Sequence, residues 1–191
     1  MNKKILIMMG PSGCGKSTLE KNLLSKSADV YKAVSVTTRD IREGEVDGVD
    51  YHFISKDEFK ELSNGGKLIQ TTHFGDNDYG TTFAEYETEH KFVTLVAVPS
   101  SAYIFSLLLN TNYPDYDVNV IYFDISTQRL VHNMLSRGDT NDEIVHRLIK
   151  DDIQSQWKDV ANKFDVEKSV IVTDDLLNHE LPERMAKIFT I

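Results

Sequence analysis

Residues 5–9, Ile-Leu-Ile-Met-Met, form an uninterrupted apolar run that breaks into Gly10-Pro11-Ser12-Gly13-Cys14-Gly15-Lys16-Ser17-Thr18. The order Gly-x-x-x-x-Gly-Lys-Ser after such a run is the pattern of a phosphate-binding loop, and it constrains the fold more than any other feature of the chain. A loop of this kind needs a strand that ends abruptly, glycines that let backbone N–H groups turn toward phosphate oxygens, and a helix whose N-terminus faces the anion. The apolar run fits a strand buried on both faces, as in a parallel sheet, and residues 17–24 carry apolar side chains at helical spacing. The candidate triphosphate cradle is Ser12, Gly13, Cys14, Gly15, Lys16, Ser17 and Thr18. Lys16 would bridge the outer phosphates of a nucleoside triphosphate, and the Ser17 hydroxyl would hold Mg2+.

The rest of the composition narrows the class. With 191 residues, 40% of them hydrophobic, the chain can bury one sizeable core with a small inserted lobe. A net charge of −9 leaves no broad basic face for nucleic acid, so a small anionic nucleotide is the better match. Cys14 is the only cysteine, which excludes an internal disulfide and agrees with a reducing compartment. Lys3 and Lys4 precede the first apolar run, but that run is short and lacks a small-residue cleavage site, and no later segment has the length of a membrane span. The expectation is a soluble, cytoplasmic protein with no membrane, nucleic-acid or obligatory protein partner.

Strands are expected at 33–38, 51–54, 68–74 and 79–82, with a capping box, Ser55 and Glu58, starting a short helix that stops near Asn64-Gly65-Gly66. The apolar runs 92–98 and 118–125 read as further buried parallel strands, and 169–172 as a last one. Helices are expected at 100–109, 126–136, 142–164 and 183–188. This alternation implies an α/β fold: a parallel sheet covered by helices on both faces, interrupted by a small mixed lobe over about 35–90. The core then comprises about 1–34 and 91–191.

A second constellation lies in Ser35-x-Thr37-Thr38-Arg39-x-x-Arg42-x-Gly44-Glu45-x-x-Gly48-x-Asp50-Tyr51, and a third in Asn77-x-Tyr79-Gly80-Thr81. Two arginines three residues apart, with two phenols in the same lobe, can grip a monophosphate dianion through charge-assisted bonds. Together with the phosphate loop, and in the same order, these motifs resemble the guanylate kinase family of nucleoside monophosphate kinases over nearly the full chain. The resemblance implies ATP with Mg2+ as phosphoryl donor and a purine nucleoside monophosphate as acceptor. It places the acceptor phosphate on Arg39, Arg42, Tyr51 and Tyr79, and the base near Ser35, Gln70 and Thr81. Arg137 and Arg147 resemble arginines of the family's lid, about 136–148, which close over the ATP phosphates and the group in flight. The catalytic set implied is Lys16, Arg39, Arg137 and Arg147.

The chain also departs from the family pattern. Asn133 stands where a further arginine is usual, Thr173 replaces an asparagine near the adenine of ATP, and residues 96–98 lack an acidic pair. Gln70 occupies the place of a glutamate that faces guanine N1 and N2. An amide can donate and accept side by side, so it pairs with adenine's N6 and N1 and loses one partner against guanine. Weakened or altered base selectivity follows, with GMP or dGMP favoured and AMP, dAMP or a modified purine as the alternative. Without the acids, Ser17 and the phosphates must supply most non-water Mg2+ ligands, which suits a loosely held ion. The six histidines show no zinc-ligand spacing. A second class, a non-catalytic binding module on the same scaffold, is opposed by the intact Gly13, Gly15, Lys16 and Ser17.

Overall fold

The structure is a computed structural model that describes residues 3–74, 76–97, 99–153 and 169–174. Strand β1, Lys4–Met9, lies at the centre of a five-stranded sheet. Its neighbours are β7 (Phe92–Val96) and β8 (Asp117–Phe123), with β2 (Val30–Lys32) and β9 (Ser169–Val172) at the edges, and every pairing is parallel. The apolar run of β1 divides between two cores, as a strand covered on both faces must. Leu6 and Met8 pack with Leu19, Leu23, Phe123, Leu130 and Met134 on one side. Ile5, Ile7 and Met9 pack with Tyr86, Leu95, Phe105 and Leu109 on the other.

Helix α1 (Lys16–Lys26) follows the phosphate loop. Helix α3 (Pro99–Asn112) joins β7 to β8, and α4 (Thr127–Ser136) and α5 (Asn141–Ile153) follow β8. Polar caps set three starts. Ser55 and Glu58 form the expected capping box of α2 (Lys56–Asn64), Ser126 accepts from the Arg129 N–H, and Thr140 with Glu143 forms a second reciprocal box before α5. The expected helix 142–164 is seen from Asn141 to Ile153. Residues 154–164 of it and the helix expected at 183–188 lie outside the described residues.

A second sheet has the order β4-β3-β6-β5, built from β3 (Val36–Thr37), β4 (His52–Phe53), β5 (Leu68–Phe74) and β6 (Asn77–Thr82). It mixes a parallel pair, β3 with β4, with antiparallel pairs of β6 against β3 and β5. The strand expected at 33–38 is here a crossing between sheets. The Ala33 N–H still bonds the Thr94 carbonyl at 2.9 Å, whereas Val36 already pairs with His52 and Gly80. The β5–β6 ladder is irregular between Leu68 and Gln70, where Gly80 lets the strands approach: a Cβ there would stand 3.0 Å from the Gln70 carbonyl.

One core position departs from the apolar rule. Glu20 on α1 is only 5% exposed and accepts a 2.8 Å bond from the Thr94 hydroxyl on β7. Burial pushes its carboxyl above the usual range, opposed by the Thr94 bond and by Lys32.

Candidate active site

The phosphate loop turns through two left-handed residues, Gly13 (φ 80°) and Gly15 (φ 105°), the latter standing as the N-cap of α1. Gly13 is also a contact point, since a Cβ there would lie 2.9 Å from Met134 Cγ and 3.1 Å from the Leu130 carbonyl. The loop therefore rests directly on α4. Lys16 Nζ reaches back across it and donates to the carbonyls of Gly10 (2.7 Å) and Pro11 (2.9 Å), with Cys14 Sγ at 3.5 Å. Cys14 is buried, Ser12 is half-buried, and Ser17 and Thr18 are exposed on the first turn of the helix. The exposed Ser17 hydroxyl fits Mg2+, an ion that keeps several waters and takes phosphate oxygens for the rest, while the helix N-terminus suits the phosphates themselves. No group of three or more His, Cys, Asp or Glu side chains suited to a metal occurs among the described residues.

Asn133 has a place the sequence did not reveal. Its Nδ2 donates to the Gly13 carbonyl at 2.8 Å, fastening α4 to the phosphate loop. Val96 closes β7 with 38% of its surface exposed, and Val98 lies outside the described residues. Thr173 is exposed, and its neighbour Asp174 accepts from the Ser126 N–H at 3.3 Å.

Of the residues expected to grip a phosphate, Arg39, Tyr51 and Tyr79 lie together beside the second sheet, and Arg39 is only 9% exposed. Its NH1 and NH2 donate to Glu45 at 2.7 and 2.6 Å, and its guanidinium lies 5.2 Å from the Tyr51 ring centre and 5.3 Å from that of Phe53. Tyr79 meets Tyr51 edge-on at 6.0 Å. The Arg39 hydrogen bonds hold the Glu45 carboxyl below its usual range, and burial pushes the Tyr51 phenol up. Arg42 is exposed and contributes its backbone N–H to Glu45 at 2.9 Å. Glu45 belongs to a motif visible in the sequence, yet nothing local marked it as the partner of Arg39.

Deeper in the lobe, the Ser35 and Thr81 hydroxyls are 2.9 Å apart, and Gln70 stands opposite Thr81 in the β5–β6 ladder. Gln70 Nε2 donates to the Thr72 hydroxyl. The expected base-facing set is thus brought together. His73 pairs with Asp78 at 2.8 Å and is exposed.

The two arginines expected in a lid also converge, but on a carboxylate. Arg137, the C-cap of α4, donates through Nε to both oxygens of Asp139 at 2.9 Å, and Arg147 Nε lies 3.7 Å from the same group. These contacts, led by the Arg137 bonds, hold the Asp139 carboxyl below its usual range.

A parallel sheet with a phosphate loop at the end of its central strand, and arginines in the loop after β3, at the end of α4 and in α5, defines a P-loop phosphotransferase. The chain belongs to the guanylate kinase family: the family model described as guanylate kinase matches residues 2–187. A guanylate kinase from Oceanobacillus iheyensis is 34% identical over 149 residues, 77% of this chain and 70% of that protein. One from Nostoc sp. is 32% identical over 181 residues, 92% of this chain and 84% of that protein. Among solved structures, guanylate kinase from Anaplasma phagocytophilum superposes with a TM-score of 0.67 at 22% identity, covering 99% of this chain and 85% of that one. The Deinococcus radiodurans tunicamycin resistance protein superposes at 0.53 with 9% identity, covering 99% and 96%; both structural likenesses bear on the fold alone. The chain is a nucleoside monophosphate kinase.

No helix among the described residues is long and apolar enough to cross a membrane.

Proposed function

We propose that this enzyme transfers the γ-phosphoryl group of ATP to the phosphate of a purine nucleoside monophosphate, with GMP or dGMP favoured, giving ADP and the nucleoside diphosphate. The observation that carries this reading is the single lobe that holds Arg39, Tyr51 and Tyr79 together and sets Ser35, Thr81 and Gln70 beside them. In this reading the first group receives the phosphate and the second the base. Loop N–H groups and Lys16 bind the donor phosphates, and Lys16 leaves the Gly10 and Pro11 carbonyls for the outer phosphate oxygens. Arg39, Arg42, Tyr51 and Tyr79 hold the acceptor dianion. An acceptor phosphate oxygen attacks the γ-phosphorus in line as the bond to the β–γ bridging oxygen breaks, so no covalent enzyme intermediate forms. Charge in that transition state spreads over the equatorial oxygens, and Arg137 and Arg147 stabilise it after exchanging Asp139 for phosphate. Mg2+, when bound through Ser17 and the phosphates, neutralises charge on the donor.

In this reading residues 35–90 form the acceptor lobe, 136–148 the lid, and the remainder a core to which both close, excluding water. The reaction needs no nucleic acid, membrane or partner protein, and its substrates are those of the cytoplasm. Gln70 supports a second specificity, for AMP, dAMP or a modified purine, because its amide matches the adenine edge. A coupled assay of ADP release with GMP, dGMP, AMP, dAMP and pyrimidine monophosphates tests the proposal. Purine turnover is expected, and silence across the panel from folded protein would overturn it.

A further inference from the structure

The Glu85 carboxylate lies between the two sheets and belongs to none of the motifs read from the sequence. It sits in a 3-10 turn, Phe83–Tyr86, and its side chain is only 12% exposed. One oxygen accepts from the Tyr31 hydroxyl at 2.9 Å and from the Val34 N–H at 2.7 Å. The other lies 3.7 Å from His52 Nε2. These partners come from three places: Tyr31 from edge strand β2 of the main sheet, Val34 from the crossing segment, and His52 from β4 of the second sheet.

Each contact adjoins a residue of the acceptor site. Val34 precedes Ser35, His52 follows Tyr51, and the turn bearing Glu85 follows directly on β6, which carries Tyr79 and Thr81. Within the crossing segment Ala33 is tied to Thr94 and Ser35 to His52 and Thr81, while the Val34 N–H is tied to Glu85. Val34 is 7% exposed, so its N–H has no ready access to water, and β3 pairs over two residues only. The ladder then transmits any shift, because the His52 N–H bonds the Ser35 carbonyl at 2.9 Å and the Ile54 N–H bonds that of Thr37 at 2.9 Å. Tyr31 is itself held in place by stacking on His90, with ring centres 5.4 Å apart. Its phenol is pushed up to about 12 by burial first and then by Glu85, which keeps it a hydrogen-bond donor.

We propose that Glu85 is a positioning residue of the kinase: by joining Tyr31, Val34 and His52 it sets where Ser35 and Tyr51 stand relative to the main sheet, and hence the affinity for the acceptor nucleotide. This rests on the acceptor-site reading above. Glu85 touches neither substrate and acts through its neighbours, so its loss falls on one substrate. The phosphate loop follows β1, which β7 separates from edge strand β2, and it packs on α4.

The test is steady-state kinetics of the full chain, varying ATP and GMP separately, for wild type, Glu85→Ala, Glu85→Gln and Tyr31→Phe, with thermal unfolding of each. Glu85→Ala is expected to raise the acceptor KM tenfold or more while the ATP KM stays within twofold. In Glu85→Gln the amide oxygen still accepts from Tyr31 and Val34, so the acceptor KM should stay within threefold of wild type. Tyr31→Phe removes one donor and keeps the fold; it should raise the acceptor KM two- to fivefold at constant ATP KM, which decides the matter if Glu85→Ala does not fold. An active wild type whose acceptor KM is unmoved by these changes, or whose two KM values rise together, overturns this inference alone. A folded wild type that transfers no phosphoryl overturns the underlying reading and this inference with it.

Discussion

Replacing Glu45 by glutamine separates the charge of the Arg39 partner from its shape. Glu45 presents one oxygen to Arg39 NH2 at 2.6 Å and the other to Arg39 NH1 at 2.7 Å and to the Arg42 N–H at 2.9 Å. A glutamine can keep its carbonyl on the second set, but its NH2 then faces a guanidinium N–H, donor against donor. One charge-assisted bond and the counter-charge are lost beside a guanidinium that is only 9% exposed. Such losses run to about 1.5–3 kcal/mol, and the partial exposure of Glu45 moves the value toward ~1–2 kcal/mol. In a chain of this size that lowers Tm by about 2–8 °C. The sign with pH follows from the depressed Glu45 carboxyl: its contribution is complete above the ordinary value of 4.5 and is lost as pH falls through the lower folded value. Thermal unfolding of both proteins, followed by circular dichroism, should therefore show a gap at pH 7 that closes progressively below pH 4.5. No gap at pH 7, or a gap that persists unchanged into acid, would refute the assignment of Glu45 as the counter-ion of Arg39.

Gly13→Ala places a Cβ 2.9 Å from Met134 Cγ in a left-handed residue, at a combined cost of about 2–4 kcal/mol. A lower Tm and a raised ATP KM with little change in the acceptor KM are expected from thermal unfolding and kinetics. Glu20 behaves oppositely to Glu45: burial raises its carboxyl, so the folded state loses stability as pH rises from 4.5 through the folded value. Glu20→Gln removes that loss, and its Tm relative to wild type should be more favourable at pH 7 than at pH 4; a pH-independent difference would contradict it. Gln70→Glu should raise the kcat/KM ratio of GMP over AMP by about 5- to 150-fold, corresponding to ~1–3 kcal/mol, and an unchanged ratio would show that this side chain does not read the base.

The two-core architecture was legible because the residues that specify it are local. The apolar run of β1, the glycines of the loop and the box at Ser55 each carry their instruction within a few neighbours. The edge strand β2 escaped notice because Val30-Tyr31-Lys32 is short, with only Val30 buried, and its pairing is supplied by β7, some sixty residues away. The crossing at residues 33–35 reads as strand because β-branched side chains suit extended backbone whichever sheet they serve. In the candidate site, motif spacing singled out the arginines and tyrosines but not their partners. Asn133 meets Gly13 across 120 residues and Glu85 meets Val34 across 51, distances over which neither spacing nor propensity carries a signal. Asp139, two residues from Arg137, was near enough to be noticed, yet its joint hold on Arg147 depends on how α4 and α5 meet.

The central reading is direct transfer from a donor on the phosphate loop to an acceptor phosphate held by Arg39. It is tested most directly by incubating the enzyme with Mg2+, GMP and ATP labelled in its γ-phosphate, then separating the products. Label should appear in GDP, at its β-phosphate, in proportion to the ADP formed, and Arg39→Ala should abolish that transfer. Label released as inorganic phosphate, or ADP formed equally well without GMP, would contradict it.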